Sequence, residues 1–234
     1  MAKQPTAKVS VTALGQVRIF SPLTEEELAV LAENCSWSRH EAASEVLAQN
    51  APCDEVYFIC SGRVSAKTFS DAGKEITFAE LVQGDVFGEL SALDGQPRSS
   101  FVVTLEESLL AALPAHVFNE FLDSHPKVMR ALMVELTGRL RRADEKVFEF
   151  STLNTSNRIH AELLRLASMH PAQNGAVEIT SPPTHADLAS RTNTTRESVT
   201  RTLNQLKQGG LIEATRQCLT IFDPDALTKL IRDS

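Results

Sequence analysis

The sequence is short of several things that would each announce a class of protein. Its 234 residues include one Trp, one Tyr and only four Cys. Cys35, Cys53, Cys60 and Cys218 are scattered, with no CxxC pair and no short Cys/His cluster. That excludes a zinc ribbon and gives no support to a disulfide framework, so a reducing, cytoplasmic setting is expected. No apolar run approaches the ~18 residues of a membrane-spanning helix, so no membrane partner is expected. The opening MAKQPTAKVSVTALGQVRIF has neither an apolar h-region nor a small-residue cleavage site, and no secretory signal is read in it. There is no P-loop, nucleophile elbow, HExxH or GxGxxG, and the His residues show no ligand spacing. No enzyme activity, catalytic residue, catalytic cofactor or metal site is therefore expected. What is present is ordinary globular stock, 42% hydrophobic and 23% charged, which rules out collagen-like and low-complexity chains.

The net charge of −7 is unevenly placed. Residues 151–234 carry 9 basic and 8 acidic side chains, the rest 14 and 22. An acidic body with a near-neutral tail permits nucleic-acid binding at the tail without demonstrating it.

Periodicity changes three times along the chain. Residues 22–35 read as a helix opened by Pro22 and Thr24, with acids in its first turn and Leu28 and Leu31 on one face. From about 37 to 113 come short strand-like pieces: 56–60, 63–69, 76–81, 100–105 and 108–113. Turn signals at Ser61-Gly62, Asp71-Ala72-Gly73, Gln83-Gly84-Asp85 and Asp94-Gly95 separate them, the pattern of a small antiparallel barrel or sandwich. Helices follow at about 115–123 and 126–153. In the second, Met129, Met133, Leu136, Leu140, Ala143, Val147, Phe150 and Asn154 recur at alternating spacings of 4 and 3. Such a seam serves either a helix packed on its own domain or one paired with its copy, and its length and flanking charges favour a homodimer. Trp37 reads as core packing, Arg139, Arg141 and Arg142 as solvated flanks of this helix, and residues 1–18 as a loosely ordered arm.

A helix at 157–170, a loop with Pro171, Asn174 and Gly175, and a strand at 177–180 lead to a segment read as two helices. The first is His185–Arg191, the second about Thr195–Lys207, with Asn193 in the turn where a left-handed backbone is needed. Leu188, Ala189, Val199 and Leu203 would form the inner face, and Thr195 would cap the second helix. Gly209-Gly210, two short strands and a helix at 224–232 complete the order of a winged helix-turn-helix. Arg196, Glu197 and Arg201 would then face outward. Arg can donate two hydrogen bonds to guanine and Glu can accept from cytosine, although Arg and Glu on a helix surface also serve plain solvation.

The other informative stretch runs from Gly84 to Ser100. A strand ends at a glycine, a helical turn follows, and Arg98-Ser99 precedes the next strand. Backbone N–H groups at such a turn suit an anion, Arg98 would add charge-assisted hydrogen bonds, and Glu89 would accept from a hydroxyl. A plain surface ion pair between Glu89 and Arg98 is the alternative.

The string FGELSALDGQPRSS resembles the phosphate-binding cassette of cyclic-nucleotide-binding domains. TTRESVTRTLNQLKQGGLI resembles the recognition helix of the Crp/Fnr family of bacterial transcription regulators, and among its branches the cyclic AMP receptor proteins share the Arg-Glu-x-x-x-Arg register. The resemblance spans about residues 20–225. It implies an α+β fold: an arm at 1–18, a cyclic-nucleotide-binding β-roll at 19–124, a dimerisation helix at 125–154 and a winged helix-turn-helix at 155–234. It also implies that Gly88, Leu90 and Ser91 form the phosphate turn, Glu89 binds the ribose 2′-hydroxyl, and Arg98 with Ser99 grips the cyclic phosphate. Phe78 and Ala79 would pack the base, and Arg139 would reach toward the ligand. Ala143-Asp144 stands where cyclic-AMP-specific members carry Thr-Ser against the adenine. An acceptor there suits adenine and guanine alike, so the expected effector is cyclic AMP first and cyclic GMP second. The DNA contacts implied are Ser156, His185, Thr195, Arg196, Glu197 and Arg201. At His185 relatives often carry Arg. The partners implied are promoter DNA with a palindromic site, a second copy of the chain and RNA polymerase. Other readings are a regulator of this fold sensing haem, an iron–sulfur cluster or an organic ligand, and a regulatory subunit or enzyme without DNA binding.

Overall fold

The computed structural model describes residues 7–71, 73–173, 175–215 and 217–232. Residues 1–6 of the expected arm, Ala72 of the expected turn at 71–73, Asn174 of the expected loop, Arg216 and residues 233–234 lie outside them. The chain divides into two compact units between Leu140 and Arg141.

The first unit opens with helix α1 (Ala7–Leu14), a 3-10 turn (Arg18–Phe20) and helix α2 (Glu25–Glu33). Eight strands follow: β1 (Ser36–His40), β2 (Glu45–Leu47), β3 (Glu55–Ser61), β4 (Arg63–Phe69), β5 (Glu75–Val82), β6 (Val86–Phe87), β7 (Phe101–Thr104) and β8 (Ser108–Pro114), with α3 (Glu89–Asp94) between β6 and β7. They pair antiparallel as two four-stranded sheets, β1-β8-β3-β6 and β2-β7-β4-β5. Helix α4 (Ala115–Ser124) and the first part of α5 (Pro126–Thr152) close the unit.

Strand β3 shows why the pattern reads as it does. Val56, Phe58 and Cys60 face a core shared with α1, α2, α4 and α5, while Tyr57 and Ile59 face the core between the sheets. A strand buried on both faces reads as a continuous apolar run. Thr24 caps α2 through a full capping box with Glu27, as its side-chain oxygen and the N3 acid allow. Trp37 packs against the same core and its indole N–H reaches the Ala32 carbonyl. The expected strands all form, and β1, β2 and β6 are additional: each is short and lacks a clean alternation.

Two expectations change here. The arm read at 1–18 is, over its described part, a helix and a turn bound into the core. Leu14 and Val17 are fully buried and Ile19 and Phe20 nearly so. The sparse apolar positions of this segment gave no helical stripe in sequence, and the burial comes from α2 and β3 packing onto it. The long helix is not a separate piece either. Val128 and Leu132 are buried and Met129 and Leu136 partly so in the first core. Met133, Leu140 and Val147, seven residues apart, remain 55%, 62% and 64% exposed. Asn154 leaves the seam: its side chain accepts from the Asn157 amide and caps the next helix.

The second unit holds the rest of α5, then α6 (Thr155–Ala167), β9 (Ala172–Gln173), β10 (Ala176–Thr180), α7 (His185–Arg191), α8 (Arg196–Gln208), β11 (Ile212–Ala214), β12 (Cys218–Ile221) and α9 (Pro224–Arg232). The four strands form one antiparallel sheet in the order β11-β12-β10-β9. Its core joins Ile159 and Leu163 of α6, Leu188 of α7, Val199 and Leu203 of α8, and Leu219 and Ile221 of the wing. Among the described residues no helix is long and apolar enough to cross a membrane.

Gly62 links β3 to β4 at φ +91°, and a Cβ there would lie 2.3 Å from Ser108 Oγ and 2.7 Å from the Glu107 carbonyl oxygen. Gly62→Ala combines left-handed strain with overlap against backbone, for an expected loss of about 2–4 kcal/mol. Thermal unfolding should show the midpoint several degrees lower, and an unchanged midpoint would contradict this turn.

Candidate functional site

Strand β6 ends at Gly88, whose φ of +79° turns the chain into α3. The turn needs glycine twice over, because a Cβ would sit 2.7 Å from Arg98 Nη1 and 3.3 Å from the Glu55 carbonyl oxygen. Arg98 is 4% exposed. Its Nη1 donates to the Gly88 carbonyl at 2.8 Å and its Nη2 to the Glu55 carbonyl at 2.6 Å, while Nε finds no partner. No carboxylate of the described residues forms an ion pair with it. The surface pair between Glu89 and Arg98 is therefore not what this sequence folds into. Backbone carbonyls orient the guanidinium but leave its charge unmatched, and a buried cation in that state favours an anion beside it.

Glu89 is 2% exposed and pairs with Arg139 instead, Nη1 to Oε1 at 3.0 Å. Arg139 also donates to the Val86 carbonyl at 2.7 Å and to Glu135 at 3.3 Å. Of the two readings of Arg139, a solvated flank or a reach toward the cassette, α5 gives the second, whereas Arg141 and Arg142 are exposed. Burial pushes the Glu89 carboxyl above the usual carboxylate range, and Arg139 opposes that. Ser91 is buried and its hydroxyl donates to the Pro97 carbonyl, closing the cassette loop. Leu90 is 46% exposed and Ser99 exposed. On β5, Ala79 packs toward the core between the sheets, and Phe78 is the extra residue at the break in register with β4, 53% exposed.

Three residues escaped the sequence reading. Tyr57 stacks on Phe87 with ring centroids 5.1 Å apart and donates to Glu55 at 2.8 Å. Burial first, then that hydrogen bond, pushes the phenol up to about 12, so it stays protonated. Glu55 supplies a main-chain oxygen to Arg98, which no side-chain pattern announces, and Glu135 holds Arg139 at i,i+4.

In the second unit, α7 starts with a capping box between Thr184 and Asp187. Asn193 takes φ +50° in the turn, and Thr195 caps α8 by accepting from the Ser198 amide. The inner face is Leu188, Ala189, Val199 and Leu203, all buried. Arg196, Glu197 and Arg201 are exposed, and the same face continues through Asn204, Gln205 and Gln208. Hydrogen bonds from its own amide and from Thr195 hold Glu197 below the usual carboxylate range, so it is ionised and an acceptor. His185 Nδ1 lies 2.8 Å from Thr200 Oγ1, joining the starts of the two helices. Ser156 is partly buried, 3.4 Å from the buried Thr202, on the inner side of α8. Ala143 and Asp144 are exposed positions of α5 in this unit. An ion network of buried and partly buried side chains, Arg191–Glu162 at 3.3 Å and Arg165 with Glu162 and Glu149, ties the end of α7 to α6 and α5.

The family model for the cyclic nucleotide-binding domain matches residues 38–125, and that for the Crp-like helix-turn-helix domain matches residues 157–230. The CRP-like cAMP-activated global transcriptional regulator of Mycobacterium tuberculosis is 26% identical over 220 residues, covering 94% of this chain and 98% of that one. The global nitrogen regulator of Synechocystis sp. is 29% identical over 182 residues, covering 76% and 80%. The c-di-GMP responsive global regulator CLP of Xanthomonas campestris has the same fold, with a TM-score of 0.73 at 20% identity over 81% of this chain and 95% of that one. With a cyclic nucleotide-binding domain matched in one unit and a Crp-like helix-turn-helix domain in the other, the chain belongs to the Crp/Fnr family of transcription regulators.

Proposed function

We propose that the protein is a homodimeric transcription regulator of the cytoplasm, switched by a 3′,5′-cyclic nucleotide, that binds a palindromic promoter site and works with RNA polymerase. The observation that carries this reading is Arg98: a buried guanidinium beside a left-handed glycine, held by carbonyls and in ion pair with no carboxylate of the described residues. A cyclic phosphate supplies the missing charge, and Glu89 accepts from the ribose hydroxyl. Phe78 and Ala79 offer a surface for the base. Asp144, with Ala143 beside it, offers an acceptor to adenine or guanine, so cyclic AMP is the first candidate and cyclic GMP the second.

Pairing rests on α5. Met133, Leu140 and Val147 form an exposed stripe at heptad spacing, the form a parallel two-helix seam requires. Two copies would present two α8 helices about 34 Å apart, one turn of DNA, to the halves of a palindrome. The nucleotide acts by binding one arrangement of the dimer better than the other, and shifts the population by no more than that difference.

Calorimetry with cyclic AMP and cyclic GMP side by side tests the effector. Arg98→Ala is expected to weaken binding by about 10–100-fold, the scale of a charge-assisted contact. Gly88→Ala should weaken it too, since its Cβ would displace Arg98 Nη1. Unchanged titrations for both variants would reject the cassette. On the DNA side, fluorescence anisotropy with a palindromic duplex should show tighter binding when nucleotide is present. Arg196→Ala should lose about 1–3 kcal/mol of discrimination at one base pair per half-site. Equal affinity with and without nucleotide would remove the switch.

A further inference from the structure

The pair between Glu89 and Arg139 is the end of a longer chain of charges. Arg139 uses all three guanidinium nitrogens: Nη1 on Glu89 at 3.0 Å, Nη2 on the Val86 carbonyl at 2.7 Å, and Nε on Glu135 Oε1 at 3.3 Å. The other oxygen of Glu135 faces Arg18 Nε at 3.8 Å. Arg18 also pairs with Asp85, whose second oxygen accepts from the Val82 amide at 2.7 Å. The order is Asp85, Arg18, Glu135, Arg139, Glu89, alternating in sign and running from the turn between β5 and β6, through the N-terminal turn and α5, to the start of α3. The backbone braces the same joint, with the Arg18 amide donating to the Gly84 carbonyl at 2.9 Å.

We propose that Glu135 and Arg18 are positioning residues of the effector site, acting on Glu89 through Arg139. The inference rests on the cyclic-nucleotide reading of the cassette. Glu135 is a bridging carboxylate, and whatever share of Arg139 it takes is lost to Glu89. Arg18 neutralises its far oxygen and so returns that share. The charged groups facing Glu89 are Arg139 and Glu135 from α5 and Arg98 from the loop before β7. Three carboxylates share two guanidinia in the chain, so removing either outer member changes how far Arg139 is committed to Glu89. Arg18 is 52% exposed and Glu135 18%, while Glu89 is buried. The outer pair can therefore be altered without opening the cassette.

Glu89 accepts from the effector most strongly as a carboxylate, so affinity falls as pH falls through its titration. Burial moves that loss above the ordinary carboxylate range. The test is calorimetric titration with cyclic AMP and with cyclic GMP between pH 5 and 8, on the wild type, Glu135→Gln, Arg18→Gln and Arg18→Lys. Glu135→Gln frees Arg139 for Glu89 and should move the acid loss of affinity to lower pH. Arg18→Gln should move it to higher pH by about half a unit or more, with binding about 3–10-fold weaker near pH 6, and Arg18→Lys should restore most of this. The Glu89 carboxyl resonance in the ligand-free, isotope-labelled protein should titrate with the same opposed shifts. A merely structural role would weaken both glutamine variants without displacing their acid limbs in opposite directions, and that result overturns the proposal. So do acid limbs coincident with the wild type. A wild type that binds neither nucleotide removes the cassette reading itself, whereas normal wild-type binding with unmoved limbs removes only the roles of Glu135 and Arg18.

Discussion

An arginine buried without an ion pair is costly, and the first unit is organised around Arg98, which forms none among the described residues. Arg98 lies beneath the turn at Gly88 because two carbonyls, from Glu55 and Gly88, converge on its guanidinium. Those carbonyls come from β3 and from the end of β6, adjacent antiparallel strands, so the sheet itself sets their separation. The absence of a side chain at Gly88 leaves the space that Nη1 fills. Carbonyl dipoles direct a cation but do not neutralise it, and the energetic deficit stays local. In the proposed function the effector phosphate makes up that deficit. The affinity of the site then comes from a penalty already built into the fold.

The carboxylate beside it is treated differently. Glu89 is as deeply buried as Arg98, yet it has a cation of its own in Arg139. Arg98 still acts on Glu89 through space, but the ion pair of Glu89 is made with Arg139. In the proposed function that division leaves Arg98 for the anionic end of the effector and Glu89 for its hydroxyl. Arg139 stands on α5, the helix whose later turns belong to the second unit. In the second unit a similar economy holds the recognition helix. Asn193 supplies the left-handed turn, Ala189 the close approach of α7 and α8, and the pair between Arg191 and Glu162 anchors the end of α7 to α6. The outward face of α8 is left with Arg196, Glu197 and Arg201 free of packing duties.

Legibility followed the range of the interaction. Strands β3, β4, β5 and β8, helices α4, α5, α7, α8 and α9, the cap at Thr195 and the turn at Asn193 were readable because each depends on neighbours within a few residues. The N-terminal helix was not, because the helix that carries Leu14 packs onto α2 and, farther along the chain, β3. The seam on α5 was half right. Its period was correct, but Met129 and Leu136 are drawn into the first core, and Asn154 serves as a cap. Arg139 carried two readings, a solvated flank like Arg141 and Arg142 or a reach toward the ligand, since three arginines within four positions look alike until one of them meets a buried acid.

The order of residues by itself determined the strand and helix segments, the helix-turn-helix and which side chains stand at its key turns, because periodicity, caps and left-handed positions are properties of short segments. The cassette and the α+β architecture were legible through the resemblance of FGELSALDGQPRSS and TTRESVTRTLNQLKQGGLI to known motifs. Only the tertiary structure decided the partners: that Arg98 answers to carbonyls and not to Glu89, that Glu89 answers to Arg139, and that Glu135 is shared with Arg18. Charges separated by 50 or more residues carry no mark of each other in the sequence. Their pairing is settled when strands and helices close around them and water is excluded, which is when a charge must find a partner or be left wanting one.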